Sequence, residues 1–280
     1  MSTGSGGAKS RPEFPTVPLV WATPASFRAL SGGMAIHDFT AQRLFVEADL
    51  STGSSIPCTD AQANYLRNVL RLGAGAEILV FNGRHGEWRA RVGFVGKRGC
   101  ALEPLEQVRP QESGPDIYYL FAPLKRARLD YMVQKATELG VAALQPILTR
   151  HTVAERVNLE RMRANVIEAA EQCGILRVPE IGEPEKLDRV LARWDPGRPL
   201  VFCDERAPIK NPIEALSTVE PGPVGVLIGP EGGFSAEERE QLLGLPFTLQ
   251  VSLGPRIMRA DTAAVAALAL VNAVLGDWRG

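Results

Sequence analysis

Residues 224–240, VGVLIGPEGGFSAEERE, place an apolar run, a glycine loop and a helix start in immediate succession. Residues 224–228 are apolar and rich in β-branched side chains, which predicts a buried strand. Gly229, Gly232 and Gly233 let the backbone turn sharply and approach a bound molecule. Ser235 and Glu238 form an S-x-x-E capping box, and Glu237, Glu238 and Glu240 add negative charge where the helix dipole favours it. The stretch therefore reads as a ligand loop pinned at both ends, although pattern alone leaves an ordinary strand-to-helix connection open. No Lys-Ser/Thr follows the glycines and GPEGGF does not fit G-x-G-x-x-G, so it is neither a Walker phosphate cradle nor a dinucleotide fingerprint. Glu231 would also repel a phosphate.

A related unit follows at residues 249–275, LQVSLGPRIMRADTAAVAALALVNAVL, again strand, loop at Gly254 and Pro255, and helix. Asp261 or Thr262 suits the helix cap, and the Ala-rich surface beyond it admits a closely packed neighbour. Arg256 and Arg259 sit in the loop just before it. Working outward, IYYLF (117–121), LQPIL (144–148), PLVFC (199–203), VGVLI and FTLQVSL (247–253) are strand candidates separated by helices, which predicts an open α/β domain with a parallel sheet. Leu129, Met132, Val133, Ala136 and Leu139 form a helical stripe ending at Gly140, a good residue just past a helix end.

Upstream, residues 109–116 (RPQESGPD) are a Pro/Gly/polar linker between this domain, 117–280, and a β-rich one at 41–108. In the latter, RLFVEA, EILVF, EWRARVGFV and CALEPLEQV are strand candidates, interrupted by a helix over 59–72. Trp88, Ala90, Val92 and Phe94 share one strand face and Arg89 and Arg91 the other, a buried face backed by a basic one. Between Tyr65 and Arg98 stand seven basic residues against two acids, a concentration able to neutralise phosphates. Arg67 and Arg71, four apart, would line one helical face. A plain solvated surface is the alternative. Residues 1–40 are small, polar and Pro/Gly-rich and read as a disordered extension, with Met34 as a possible natural start.

Of the 280 residues 45% are hydrophobic, enough for one large or two modest cores, and the net charge of −1 says nothing about partners. No apolar run is long enough to cross a membrane. Cys58, Cys100, Cys173 and Cys203, and likewise His37, His85 and His151, are scattered, which argues against a disulfide scaffold or a metal cluster and for a reducing, cytoplasmic setting.

IGPEGGFSAEE and LGPRIMRADTA, in this order and separation, resemble the cofactor motifs of the 16S ribosomal RNA uridine N3 methyltransferases of the SPOUT, or trefoil-knot, superfamily. The resemblance extends through LKRARLDYMVQKATELGV, EAAEQ and VPEI to about Arg43. It implies a knotted C-terminal sheet, an N-terminal PUA-like barrel that binds RNA, a homodimer, and S-adenosylmethionine as cofactor with no metal. Cofactor contacts then fall on Ile228, Gly229, Pro230, Glu231, Gly232, Gly233, Leu253, Gly254, Ile257 and Met258. RNA contacts fall on Arg67, Arg71, Arg89, Arg91, Lys125, Arg150, Gln172 and Arg256, with Glu138, Glu168 and Arg177 as further matching positions. Arg126 stands where the family usually has Gly, and Asp261 where it has Glu.

The expected reaction is methylation of a uridine N3 in small-subunit ribosomal RNA, naked or in the assembled subunit. N3 carries a proton and attacks poorly until that proton leaves, so a cation should stabilise the developing anion. Arg259 suits that task. Glu231 or Asp261 is placed to complement the sulfonium or take the proton. A non-catalytic RNA-binding protein of the ribosome, a SPOUT enzyme with another RNA target, and a nucleotide-binding enzyme of another kind stay open as alternatives.

Overall fold

In this computed structural model, residues 41–96, 99–153, 156–208 and 210–279 are described. The expected N-terminal extension and the start at Met34 lie outside them, as do Lys97 and Arg98.

The first sheet has strand order β1-β3-β4-β5-β2, from β1 (Arg43–Phe45), β2 (Ile56–Pro57), β3 (Glu77–Phe81), β4 (Glu87–Val95) and β5 (Gly99–Arg109). It is a curled half-barrel. The alternation expected in β4 is present: Ala90 and Val92 are buried while Arg89 and Arg91 are exposed, and Trp88 and Phe94 pack half-buried on the same core. Helix α1 (Asp60–Asn64) opens with a capping box between Thr59 and Gln62. It then widens into a π-helical turn, Tyr65–Val69, and Arg71 adopts φ +55°. Arg67 and Arg71 therefore do not share a regular helical face, because the chain has left the α-helix before Arg71.

The second sheet is parallel throughout, in the order β12-β10-β11-β6-β7-β8 with β9 also paired to β7. Its elements are β6 (Ile117–Phe121), α2 (Arg126–Glu138), β7 (Ala143–Leu148), α3 (Leu159–Cys173), β8 (Glu180–Ile181), β9 (Glu185–Lys186), α4 (Leu187–Ala192), β10 (Leu200–Cys203), α5 (Pro212–Leu216), β11 (Val224–Ile228), α6 (Ala236–Leu243), β12 (Thr248–Val251) and α7 (Ala260–Val274). Parallel strands need cover on both faces. Tyr119, Phe121, Val226 and Ile228 pack with Met132 and Val133 of α2 and Leu268 and Val271 of α7. On the other face, Leu120, Phe202 and Leu227 meet Leu187, Val190 and Leu191 of α4 and Leu242 of α6. The chain moves from β6 to β7 and then returns to the far side of β6, so the order reverses between β6 and β11. Ligands of such sheets bind beyond the carboxyl ends at this reversal.

The two sheets share a buried junction. Phe45 and Phe81 pack on Ala170 and Leu176. Glu87, 2% exposed, takes a hydrogen bond from Arg43 Nε at 2.8 Å and has Arg109 Nε at 2.9 Å from its other oxygen. Arg109 also donates to the Gly174 carbonyl at 2.7 Å, closing α3 onto β5. Arg109, read as the first linker residue, is thus the buried end of β5. Glu87→Ala removes the carboxylate shared by two buried guanidinium groups, and should cost about 3–5 kcal/mol in urea unfolding. A loss under about 1 kcal/mol would show that water replaces the carboxylate.

Candidate active site

At the carboxyl end of β11 the loop 229–234 is bolted down as its sequence requires. Ser235 Oγ accepts from Glu238 N at 3.2 Å and Glu238 Oε2 accepts from Ser235 N at 2.9 Å, the expected capping box. The other carboxylate oxygen of Glu238 accepts from Arg150 N at 2.8 Å, so the box also grips the loop after β7. His151 Nδ1 lies 3.0 Å from the Gly233 carbonyl oxygen. The glycines have different tasks. Gly233 has φ +71° and Gly254 φ +105°, conformations that favour glycine, whereas Gly229 leaves room for the ring of Phe234.

One side chain joins both glycine loops. Arg128, in the first turn of α2, donates to Asp261 through Nε (2.9 Å) and Nη2 (3.0 Å), and through Nη1 to Glu231. The bidentate pair holds the Asp261 carboxyl below its ordinary range, chiefly through the hydrogen bonds from Arg128, and raises Arg128 in turn. Glu231 and Asp261 both serve as counter-charges to Arg128 here. Nor does Asp261 or Thr262 cap α7: Arg259 holds the cap position with extended backbone and no side-chain cap, and Asp261 lies one residue inside the helix. The Arg259 side chain is exposed and makes no hydrogen bond or ion pair among the described residues, whereas Glu231 and Asp261 are both paired with Arg128.

The cofactor candidates gather at this edge. Ile228 is the buried last residue of β11, Pro230 and Gly233 are half-buried, and Glu231 and Gly232 are exposed. Leu253, Gly254 and Met258 are half-buried in the loop after β12, where Arg256 is exposed and Ile257 is 99% exposed. Lys125, at the start of α2, lines a small cleft with Pro123, Leu124, His151, Val153, Pro230 and Glu231. Arg126, next to it, has φ +28°, a conformation that the glycine usual in the resembling family would adopt freely. Arg150 and Gln172 are exposed.

The barrel candidates are more constrained than a count along the chain suggests. Arg89 pairs with Glu106 at 3.0 Å and faces Glu77, and Arg91 pairs with Glu103 at 3.4 Å. Acids on β5 thus offset the basic excess, a balance set by strand register (Arg89 opposite Glu106, Arg91 opposite Glu103). Arg67 lies over the Phe94 ring at 4.2 Å and donates to the Gly99 carbonyl at 3.0 Å. Arg177 donates to the Ser113 and Pro115 carbonyls, a structural tie to the linker. Among the described residues no cluster could hold a metal ion and no helix is long and apolar enough to cross a membrane.

The site is thus the carboxyl edge of an all-parallel α/β sheet with two ion-paired glycine loops, in a chain that also carries a half-barrel. Residues 111–272 match the model of an RNA methyltransferase domain, and residues 59–105 that of an RNA methyltransferase PUA domain. The chain is 30% identical over 232 residues to ribosomal RNA small subunit methyltransferase E of Rickettsia conorii, covering 82% of this chain and 94% of that one. It is 32% identical over 241 residues to the Synechocystis protein of the same name, covering 84% and 78%. Among solved structures, a ribosomal RNA small subunit methyltransferase E from Neisseria gonorrhoeae bound to S-adenosyl methionine superposes with TM-score 0.74 at 27% identity, covering 85% of this chain and 99% of that one. A Legionella pneumophila protein in complex with the cofactor SAM gives 0.73 at 27% identity over the same shares. The chain belongs to the RNA methyltransferase family.

In the sequence Arg128 reads only as one more surface cation of LKRAR, because its partners are 103 and 133 residues away. Arg128→Met should lower the urea midpoint at neutral pH. The Asp261 carboxyl is depressed in the folded state, so its contribution is complete above the ordinary value of 3.8 and is lost as pH falls through the folded value. The gap between wild type and variant should therefore narrow below that pH; a gap constant down to the acid limit of folding would assign Arg128 to packing alone.

Proposed function

We propose that this RNA methyltransferase transfers the methyl group of S-adenosylmethionine to N3 of a uridine in small-subunit ribosomal RNA, acting as a cytoplasmic homodimer. The observation that carries the reading is the pair of glycine loops, tied together by Arg128 at the point where the strand order reverses. The residues fit such a ligand: Gly233 and Gly254 expose main chain in left-handed conformations, space around the Gly254 α-carbon is open, and Leu253 and Met258 offer apolar surface. When bound, S-adenosylmethionine supplies an electrophilic methyl carbon on a sulfonium.

The chain's own groups do the rest. The uracil anion that forms as N3 loses its proton spreads onto the flanking carbonyl oxygens, and the unpartnered guanidinium of Arg259 is a fixed positive charge for it. Arg256 lies in the same loop. Lys125, Arg150 and Gln172 are exposed for contacts to the RNA backbone. For the dimer, α7 leaves Val265, Ala266, Ala269 and Ala273 partly uncovered, a small-residue face suited to a second copy, and Trp278 beyond its end is 55% exposed.

Calorimetry should find binding of S-adenosylmethionine and not of ATP or NAD, and methylation of small-subunit RNA should map to one uridine; failure of either removes the reading. Gly233→Val places a β-branched residue at φ +71° and should abolish donor binding while unfolding stays cooperative. Arg259→Ala should keep donor affinity and dimer mass yet lose about 10²- to 10³-fold in single-turnover methylation; near-normal turnover would assign Arg259 to structure. Light scattering that gives a monomer mass for the active enzyme would refute the dimer.

A further inference from the structure

Three loops meet at the edge that carries the site, because β10 lies between β11 and β12. The turn leaving β10, residues 204–207, is held unusually firmly for an exposed connection. Asp204 is 3% exposed, and its carboxylate accepts from Arg239 Nε of α6 at 2.8 Å, Gln250 Nε2 of β12 at 2.7 Å and Arg206 N at 2.9 Å. The main chain adds Asp204 N to Val251 O at 3.1 Å and Ala207 N to Asp204 O at 3.0 Å. A buried charge with this many donors rigidifies what it is attached to.

What the turn presents is Glu205. Its carboxylate lies against Gly233, with Oε1 2.6 Å from where a β-carbon on Gly233 would stand, so the missing side chain makes room for it. Glu205 is exposed and has no hydrogen-bond or ion-pair partner among the described residues. The two other acids at the glycine loops, Glu231 and Asp261, are both engaged by Arg128. Glu205 is thus an uncompensated negative charge, mounted on a pinned turn, between the two loops that the preceding section assigns to the methyl donor.

We propose that Glu205 recognises the methyl donor by its positive charge, with the buried Asp204 as the positioning residue that holds the turn. The proposal rests on the reading of the loops as the donor site. The donor carries two cations, the sulfonium and the α-ammonium, and either would complement a carboxylate at this place.

Glu205→Gln removes the charge and keeps the shape, and an exposed side chain at this position is not required for folding, which equal melting temperatures would verify. Calorimetry is run on wild type and variant with S-adenosylmethionine, S-adenosylhomocysteine, which keeps only the ammonium, and 5′-methylthioadenosine, which has neither. The variant should bind S-adenosylmethionine about tenfold or more weakly, with less difference at high salt. A loss confined to S-adenosylmethionine supports the proposal through the sulfonium, and a loss shared with S-adenosylhomocysteine but not with methylthioadenosine supports it through the ammonium. Equal losses for all three, or none, overturn it while leaving the donor site standing. Wild type that binds none of the three overturns the donor-site reading and this proposal together.

Discussion

Parallel strands hide both faces beneath helices, and that constraint decides where this molecule can bind anything. With Tyr119 and Phe121 buried under one helical layer and Leu120 and Leu227 under the other, the broad surfaces of the sheet are closed. All carboxyl ends lie along one edge, so the loops after β6, β7, β10, β11 and β12 become neighbours although they come from positions spread over more than a hundred residues. Chemistry at this edge does not depend on proximity in sequence. It depends on side chains that fasten one loop to the next.

Two charge clusters do that fastening in different dielectric settings. At the junction of the sheets, Glu87 and Arg109 have side chains 3% and 4% exposed, and the mutual attraction of the ions is offset by the cost of removing them from water. Such a cluster fixes geometry more than it adds net stability. Arg128, with its side chain 29% exposed, faces a smaller desolvation cost and retains bidentate geometry on Asp261. It fastens Glu231, on the loop after β11, to Asp261, in the first turn of α7.

Much of this was legible in the sequence. β3, β4, β6 and β11 fall where apolar and β-branched runs place them, and the Ser235 capping box forms as spelled. Local chemistry, reaching three or four residues, writes such features directly. Features that depend on partners across the fold were not legible. Arg89 and Arg91 looked like an open basic face because Glu103 and Glu106 become their neighbours only through the register of β4 against β5. The helix over 59–72 was expected to carry Arg67 and Arg71 on one stripe, and the π turn at Tyr65–Val69 breaks that spacing without any proline or glycine within the turn to announce it. Asp204 is one of two adjacent acids in CDERAP until β12 and α6 bring Gln250 and Arg239 onto it.

Arginine appears in two roles at the same edge, and the difference lies in what each touches. Arg128 has its charge matched by two carboxylates, so its field at a ligand is largely cancelled and its contribution is positional. Arg259 stands at the start of α7 with no acid left to neutralise it, and a guanidinium facing the positive end of a helix dipole gains nothing from that position alone. On the proposed reaction, the negative charge that meets this unmatched cation is the uracil anion, formed only when N3 gives up its proton; the interaction would then strengthen as the reaction proceeds and favour the transition state over the bound ground state.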